Sequence, residues 1–261
     1  MTASPSATKQ TSGNRERVVL ITGGGTGIGR ETAFRFARSG YSVVLVGRRE
    51  ASLRRVAHQI ERRQGKALTI GADITDEGSV RKIVEMAIKR FRRIDTLINN
   101  AAIAGEALLV HEVSDEMWNE LIGGNLTASF RMCRAILPHF IKRKKGVIVN
   151  VSSIAALVGM RSMAPYSVAK SGLLALTRSI AAEYGDKGIR CNCVCPGTAM
   201  TPMTQGILND GQRRRRIAST NLLQRIARPS EIARAIYYLG SDESSFITGL
   251  ILTVDGGYTA R

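Results

Sequence analysis

The chain is 261 residues long, and its 38 Lys and Arg outnumber its 21 Asp and Glu to give a net charge of +17. This length suffices for one large α/β domain, and without a run of about eighteen apolar residues no membrane association is expected. The charge raises nucleic acid as a partner. However, the arginines are spread over many segments and aromatic residues are only 5% of the chain, so we expect anionic small molecules or an acidic protein instead.

Residues 1–16, MTASPSATKQTSGNRE, are small and polar and contain no apolar stretch. A secretory signal requires such a stretch, so we expect a cytoplasmic protein with a disordered N-terminal tail. Residues 17–261 are expected to form a single domain, because no linker or internal repeat divides them.

Apolar runs with strand character alternate along the chain with segments of helical periodicity. The runs are RVVLITG, SVVLVGR, KALTIGAD, DTLINNA, GVIVNVSS, IRCNCVCPG and GLILTVDGG. Apolar strands that are separated by helices are typical of a parallel sheet with helices on both faces. The pattern therefore predicts a doubly wound, Rossmann-like α/β fold with about seven strands.

The first strand runs directly into the glycine-rich segment TGGGTGIGR, and a helix is predicted to begin near Ile28. Gly23, Gly27 and Gly29 allow a tight turn and a close approach of the backbone to a pyrophosphate, toward which the helix points its N-terminus. A glycine-rich turn without a ligand is the alternative. The order of strand, loop and helix favours a dinucleotide site.

The second strand ends in VVLVGRRE, where an enzyme that uses NAD would carry an acidic residue for the ribose 2′-hydroxyl. Gly47 holds that place and is followed by Arg48 and Arg49, whose guanidinium groups suit a 2′-phosphate. We therefore expect NADP(H) in preference to NAD(H). The alternative is that both arginines are solvated residues at the start of a helix.

The third strand ends in GADITDE, which places Asp73 at the carboxyl end of the sheet. Two roles are open for its carboxylate. In one it accepts a hydrogen bond from the adenine amino group, and in the other it closes a turn before a helix capped by Thr75.

The segment SMAPYSVAKS sets Tyr166 four residues before Lys170, so both side chains share one face of a helix. A cation beside a phenol favours the phenolate, and we expect Lys170 to lower the pKa of Tyr166 from about 10. The pair would then transfer a proton near neutral pH. A solvated helix face is the alternative when the pattern stands alone.

Three of the four cysteines, Cys191, Cys193 and Cys195, alternate along the sixth apolar run and would face one side of a strand. Zinc ligands need a turn between them, and the three histidines show no metal-ligand spacing. We expect buried free thiols and no metal site.

Seven motifs, taken in order, resemble those of the short-chain dehydrogenase/reductase family, in its branch of single-domain enzymes similar to 3-oxoacyl-[acyl-carrier-protein] reductases. The resemblance runs from about Arg17 to Tyr258, and its motifs are TGGGTGIG, NNAA, GNLT, VSS, YSVAK, CVCPG and ITGLILTVDGG. It implies an oxidoreductase that transfers hydride between a nicotinamide and a carbonyl or secondary alcohol.

The resemblance implies four catalytic residues, which are Asn125, Ser153, Tyr166 and Lys170. Tyr166 would be the general acid, assisted by Lys170, which would also bind the nicotinamide ribose. Ser153 would hydrogen-bond the substrate oxygen, whereas Asn125 would hold a proton path to solvent through its backbone and a water. Ser152 competes for the serine role, but only Ser153 stands thirteen residues before the tyrosine as the family pattern requires.

The resemblance also implies the residues that contact the cofactor. Asn99 would lie beside the adenosine half, and Thr201 would bond the carboxamide or phosphate side unless it serves only as a helix N-cap. The full set comprises Gly23, Thr26, Gly27, Ile28, Gly29, Arg48, Arg49, Asp73, Ile74, Asn99, Ala101, Tyr166, Lys170, Pro196, Gly197, Thr198 and Thr201.

Two departures from the family pattern bear on the site. Ala102 replaces the last glycine of the usual NNAG, which would cost about 1 kcal/mol if that position required a positive φ. Gly123 and Gly124 precede Asn125 and are expected to loosen the helix that presents it.

Residues 198–222 stand where the family places its substrate lid, and they include four consecutive cations, Arg213 to Arg216. These arginines form a solvated helix face or attract an anionic substrate or carrier. Lys144 and Lys187 are further candidates for docking an acyl carrier protein near the mouth of the site.

Several substrates and roles stay open. We expect a small-molecule carbonyl or alcohol substrate, either a 3-oxoacyl thioester of acyl carrier protein or CoA, or another ketone. The alternatives are an alcohol, sugar or polyol dehydrogenase and a dinucleotide-binding regulator without catalysis. The resemblance further implies a homotetramer.

Overall fold

The computed structural model describes residues 16–260. These residues form one parallel sheet with the strand order β3-β2-β1-β4-β5-β6-β7, which confirms the predicted fold class. The strands are β1 (Val18–Thr22), β2 (Ser42–Gly47), β3 (Ala67–Gly71), β4 (Thr96–Asn99), β5 (Gly146–Val151), β6 (Ile189–Pro196) and β7 (Ile251–Val254).

Helices cover both faces of the sheet. Helices α1, α2 and α9 pack on one face, and α3, α5 and α6 pack on the other. Within residues 16–260, none is both long and apolar enough to cross a membrane. The helices are α1 (Gly27–Arg38), α2 (Glu50–Glu61), α3 (Glu77–Phe91), α4 (Asp115–Ile122), α5 (Ala128–Arg143), α6 (Ala164–Tyr184), α7 (Pro202–Leu208), α8 (Gly211–Thr220) and α9 (Pro229–Gly240).

The core explains why the strands are apolar throughout rather than alternating. In β1, Val18 and Leu20 pack with residues of α3 and α5, whereas Val19 and Ile21 pack with residues of α1 and α9. All four side chains are buried. Burial of such a side chain contributes about 1.5–3 kcal/mol relative to exposure, so each face of the sheet is a separate source of stability.

The strand order creates a crevice at the carboxyl edge of the sheet. The chain moves from β1 outward to β3 and then returns to add β4 on the other side of β1. The loops that follow β1 and β4 therefore diverge, and in α/β sheets ligands bind at such a switch point. The glycine-rich segment follows β1, so the fold puts it at this crevice.

Most of the predicted N-terminal tail, together with Arg261, lies outside the described residues. Glu16, the last residue of that tail, is held against the sheet. Its carboxylate accepts a 2.6 Å bond from Lys66 Nζ and a 2.7 Å bond from Ser42 Oγ.

The cysteines are buried and free, as the alternation of residues predicts. Cys191 packs in the core beside α5 and α6, and Cys193 and Cys195 pack against Leu174 of α6. The three thiols thus face the same side of β6. Burial raises the pKa of Cys133 on α5 to about 12, so that thiol stays protonated.

Candidate active site

A cleft of about 1260 Å³ opens at the carboxyl edge of the sheet. Its walls come from the loops after β1, β2, β3 and β4, the end of β5, the first turns of α6 and the segment after β6. The predicted residues that line it are Gly23, Thr26, Gly27, Ile28, Arg48, Arg49, Asp73, Ile74, Ala101, Ser153, Tyr166, Lys170, Pro196, Gly197, Thr198 and Thr201. Folding thus brings segments that are far apart in sequence into one cavity, with a volume typical of ligand sites or larger.

The glycine-rich loop has a conformation that requires glycine at two positions. Gly23 and Gly27 have φ of +65° and +53°, which side chains disfavour. A Cβ on Gly23 would lie 2.9 Å from Ala101 Cα, and one on Gly27 would lie 3.2 Å from Thr201 Cβ. The loop is therefore packed tightly between the segments that follow β4 and β6.

Gly29 does not line the cleft, which corrects its predicted role as a contact. A Cβ there would lie 2.2 Å from the carbonyl oxygen of Gly23. This glycine lets the first turn of α1 pack against the loop, which is an indirect contribution to the site.

The N-terminus of α1 faces the cleft without a neutralising side chain. Thr26 is the N-cap but forms no side-chain capping bond, and the first turn contains no acidic residue. Free N–H groups and the helix dipole make such an end suitable for an anion. The loop and helix together fit the pyrophosphate of a dinucleotide.

Asn99 lies away from the cleft, so its predicted place beside the adenosine half is wrong. Its Nδ2 donates to Asn150 Oδ1 at 2.9 Å and to Cys133 Sγ at 3.2 Å, beneath the sheet edge. The next residue, Asn100, lines the cleft and donates to the carbonyls of Thr22 and Gly23 at 3.0 and 3.3 Å. Successive residues of a strand point to opposite faces, and this parity separates the two asparagines.

At the end of the cleft that lies beside β2 and β3, which we expect to take the adenosine half of a dinucleotide, Arg48 and Arg49 follow β2 and are exposed. Neither forms an ion pair with any residue between 16 and 260. Arg131, which sequence reasoning missed, also lines the cleft and donates to the carbonyl of Thr75. This end of the cleft is therefore cationic.

Of the two roles predicted for Asp73, the structure shows the one in which its carboxylate closes a turn. Asp73 Oδ1 accepts bonds of 2.9 and 2.8 Å from the N–H and hydroxyl of Thr75, and these bonds, with the Arg48 guanidinium, lower the pKa of Asp73. However, Thr75 does not cap α3. Asp76 does so, accepting a 2.6 Å bond from the N–H of Ser79.

Ser153 and Tyr166 both line the cleft, and the Ser153 hydroxyl also accepts a 3.1 Å bond from the N–H of Ala155. Ser153 follows β5, and Tyr166 lies in the first turn of α6. Burial raises the pKa of Tyr166, and a hydrogen bond with Ser153 opposes that rise. The prediction that Lys170 lowers the pKa of Tyr166 is wrong for the protein alone, because burial outweighs any effect of the ammonium 5.7 Å from the ring centre.

Lys170 is 2% exposed, and burial lowers its pKa to about 8. Its Nζ donates a 2.9 Å bond to the carbonyl of Val151, and its own carbonyl accepts a 2.8 Å bond from Ser152 Oγ. Ser152 therefore supports the lysine, whereas Ser153 contacts the tyrosine. This division agrees with the serine spacing.

Asn125 is fully buried in a turn of π-helix, Gly123–Thr127, between α4 and α5. Its side chain accepts from the N–H of Ile103 at 3.1 Å and donates to the carbonyls of Ile103 and Leu121 at 3.1 and 2.9 Å. The side chain thus ties the loop after β4 to the helix. Such π turns are frequent at functional sites.

The two departures from the family pattern have structural explanations. A Cβ on Gly124 would lie 2.7 Å from Ile103 Cδ1, whereas one on Gly123 would meet nothing within 4 Å. The glycines accompany a change of helical register rather than the loosened helix that was predicted. Ala102 is absent from the described residues with positive φ, so the alanine carries no such penalty.

The segment after β6 arches over the glycine-rich loop. Thr201 is the N-cap of α7, and its N–H donates to Thr204 Oγ1 at 3.1 Å, so the capping role is present alongside its place in the cleft wall. Two bonds hold the base of the segment, from Met200 N–H to Ala227 at 3.0 Å and from Ala227 N–H to Thr198 at 3.1 Å. Neither α7 nor α8 contains a buried residue.

Lys144 and Lys187 do not flank the mouth of the cleft. Lys144 ends α5 just before β5 begins, and Lys187 follows α6 just before β6 begins. Both therefore lie at the amino edge of the sheet, opposite the cleft, and the prediction that they border the site is wrong.

Comparison with known proteins identifies the family. The sequence model of a family described as enoyl-(acyl carrier protein) reductase matches residues 23–259. The chain is 35% identical over 242 residues to the 3-oxoacyl-[acyl-carrier-protein] reductase FabG of Thermotoga maritima, with 92% of this chain and 97% of that protein covered. It is 40% identical over 245 residues to the cis-4-hydroxycyclohexanecarboxylate dehydrogenase of Sinomonas cyclohexanicum, with 94% and 97% covered.

A solved structure of ElxO with NADP bound has the same fold, with a TM-score of 0.89 and 33% identity over 94% of this chain and 100% of that one. The matched region contains the glycine-rich loop, Ser153, Tyr166 and the buried lysine of the cleft. The chain belongs to the short-chain dehydrogenase/reductase family and is an oxidoreductase.

Proposed function

We propose that this protein is an NADP(H)-preferring oxidoreductase that interconverts a ketone and its secondary alcohol, with Ser153, Tyr166 and Lys170 at its catalytic centre. The observation that carries the proposal is that Ser153, Tyr166 and buried Lys170 line the same cleft as the glycine-rich loop. A proton donor and a dinucleotide cradle are the two components that carbonyl reduction requires.

NADP(H) would supply the hydride when bound. Gly23, Gly27 and the first turn of α1 would hold its pyrophosphate, because there the backbone turns tightly and the helix end has no acidic side chain. Arg48 and Arg49 line the cleft after β2, form no ion pair within residues 16–260 and would bind a 2′-phosphate. The NADP bound in the related ElxO structure supports the same preference.

Tyr166 acts as the general acid that protonates the carbonyl oxygen of the substrate. Its raised pKa keeps the phenol protonated at neutral pH, as a proton donor requires. Ser153, which lines the same cleft, donates to the same substrate oxygen and stabilises its developing charge. In the oxidative direction Tyr166 must first lose its proton, and its phenolate then accepts the proton of the alcohol, which Ser153 also binds.

Lys170 and Asn125 support this centre. A pKa of about 8 leaves Lys170 mostly charged at neutral pH, so its ammonium favours loss of the tyrosine proton during the reaction. The Asn125 side chain is occupied by Ile103 and Leu121. We therefore assign its contribution to the proton path to its backbone.

The remaining cofactor contacts, assembly and location are further proposals. The cofactor contacts comprise the cleft-lining residues named above, with Asn100 in place of Asn99. Large apolar side chains are exposed on α5, on α6 and before β7, at Phe130, Val168 and Phe246, and such surfaces support the homotetramer that the family implies. We assign the protein to the cytoplasm.

The test follows NADPH absorbance with the purified protein and a panel that includes acetoacetyl-CoA and simple ketones. We expect turnover that is faster with NADPH than with NADH, and a loss of about 10²–10⁴-fold in kcat for Tyr166→Phe. NADPH should still bind in that variant, because the glycine-rich loop and the arginines are intact. Tight NADPH binding without oxidation by any carbonyl would contradict the proposal and indicate a dinucleotide-binding regulator.

A further inference from the structure

The residues that line the cleft form two groups of different chemistry, which we call its two halves. One half holds the glycine-rich loop and the arginines. The other half is bounded by the loop after β4, the loop before α6, and helices α7 and α8. Its apolar lining comprises Ile103, Ile154, Met163, Met203, Ile207 and Ile217.

The apolar lining is unusual because part of it is exposed to water in the protein alone. Met203 is 48% exposed and Ile207 is 50% exposed, although both line the cleft. Met200 is similarly exposed but does not line it. Exposed apolar side chains that line a concave site indicate a ligand that removes them from water.

This half of the cleft lacks free cations. The arginines that line the cleft are Arg48, Arg49 and Arg131 at the adenosine end, and Lys170 already donates to Val151. The exposed run from Arg213 to Arg216 on α8 does not line the cleft. An anionic group in this half would therefore have no guanidinium partner.

The polar side chains on this side of the cleft include two carboxylates and no cation. They are Glu106, Asn119, Glu120, Ser162 and Thr204. Glu106 and Glu120 are exposed and would repel an anionic substrate, and Thr204 already donates to the carbonyl of Ala199 at 2.6 Å. A polyol or sugar would place hydroxyls against the apolar side chains around Met203 and Ile207, which is unfavourable.

We propose that the substrate of this site is a neutral ketone, or its secondary alcohol, whose flanking groups are hydrocarbon. This inference rests on the proposed function and narrows it, because it favours aliphatic and alicyclic ketones over sugars, polyols and carboxylated substrates. The reacting oxygen meets Ser153 and Tyr166, and the hydrocarbon covers Met203 and Ile207. Specificity then comes from burial of apolar surface.

The first experiment compares kcat/KM for two rings of nearly equal shape with the purified protein and NADPH. Cyclohexanone is all hydrocarbon around its carbonyl, and tetrahydropyran-4-one carries one ether oxygen opposite it. We expect cyclohexanone to be preferred by about ten-fold, as for a small change of polarity in an apolar pocket. Dihydroxyacetone should be poorer than both. Equal rates for the two rings, or a preference for dihydroxyacetone, would overturn the inference.

The second experiment uses one substitution at two positions. Met203→Gln puts an amide into the apolar half, and Met200→Gln makes the same change three residues away, outside the cleft. We expect about a ten-fold loss of kcat/KM for cyclohexanone in the first variant only, with the KM for NADPH unchanged in both. Equal behaviour of the two variants would contradict the apolar site.

Different results would refute the proposed oxidoreductase function and the apolar substrate. Turnover of polar carbonyls alone would remove the apolar substrate and leave the oxidoreductase intact. If no carbonyl is reduced, the proposed function fails, and calorimetry of cyclohexanol with the NADP⁺-loaded protein still tests the site. Binding that Met203→Gln weakens would support the apolar half, and no binding would refute it.

Discussion

Ser152 donates a 2.8 Å hydrogen bond from its hydroxyl to the main-chain carbonyl of Lys170. The lysine ammonium in turn donates a 2.9 Å bond to the carbonyl of Val151. The end of β5 therefore holds Lys170 at its backbone and at its side-chain tip. These two bonds fix the position of α6 relative to the end of β5. They therefore also fix the position of Tyr166, which lies one helical turn before Lys170.

Replacing Ser152 by alanine tests this support. We expect Ser152→Ala to destabilise the fold by about 1 kcal/mol, the usual value for a lost buried hydrogen bond. We also expect kcat to fall about ten-fold, because a small displacement of a reacting group lowers the rate strongly. Ser171→Ala is the matched control, since its exposed hydroxyl donates to the carbonyl of Ala156 at 3.3 Å. Thermal unfolding and steady-state kinetics measure both effects, and a kcat equal to that of the control would contradict the positioning role.

Buried Lys170 should make stability depend on pH in the alkaline range. Its pKa falls from 10.5 to about 8 on folding, so between these values the unfolded chain binds more protons and the free energy of unfolding rises with pH. Lys170→Met lacks this titration. We expect the difference in unfolding free energy, wild type minus variant, to increase between about pH 8 and pH 10.5 by up to about 1.4 kcal/mol per pH unit.

Urea denaturation at about pH 7, 9 and 10 measures this difference. Lys187→Met provides the control for removal of a lysine side chain, because Lys187 is exposed. A constant difference for Lys170→Met would show that the lysine is not desolvated in the folded protein.

The strands, and the grouping of Ser153, Tyr166 and Lys170 in one cleft, were predictable from sequence because both depend on local patterns. Apolar runs identify β1 to β7, and the spacing of the three residues matches a family motif. It is harder to predict on which side of a strand a side chain lies, as Asn99 and Asn100 show. One residue of uncertainty in where β4 ends exchanges the buried asparagine for the one in the cleft.

Two other errors have a common physical origin in the three-dimensional surroundings. Burial raises the pKa of Tyr166, and the residues that bury the phenol are not its neighbours in sequence. The edge of the sheet occupied by Lys144 follows from the direction of α5, since a helix that leads into a strand ends at the amino edge. The positive charge of Lys144 does not indicate at which edge of the sheet the residue lies, so a prediction from charge placed it at the wrong edge.

The cofactor preference is tested at Arg48. We expect Arg48→Ala to lower kcat/KM for NADPH by about ten-fold or more and to leave that for NADH unchanged, because a charge-assisted bond contributes about 1.5–3 kcal/mol. Arg54→Ala is the control, since Arg54 lies on α2, pairs with Glu50 at 2.7 Å and does not line the cleft. Equal losses with both cofactors would exclude a 2′-phosphate site at Arg48.

The π turn that carries Asn125 leads to the last prediction, which concerns two adjacent glycines. Gly124→Ala places a Cβ 2.7 Å from Ile103 Cδ1, and the backbone of Ile103 is fixed on both sides by the Asn125 amide. The isoleucine side chain must therefore move, and it lines the apolar half of the cleft. We expect a loss of stability of about 1–3 kcal/mol and a raised KM for ketones with the KM for NADPH unchanged. Gly123→Ala meets nothing within 4 Å and should be neutral or stabilise the helix by up to about 1 kcal/mol. Denaturation and kinetics of the two variants separate these outcomes, and similar behaviour of both would mean that the contact with Ile103 does not require glycine.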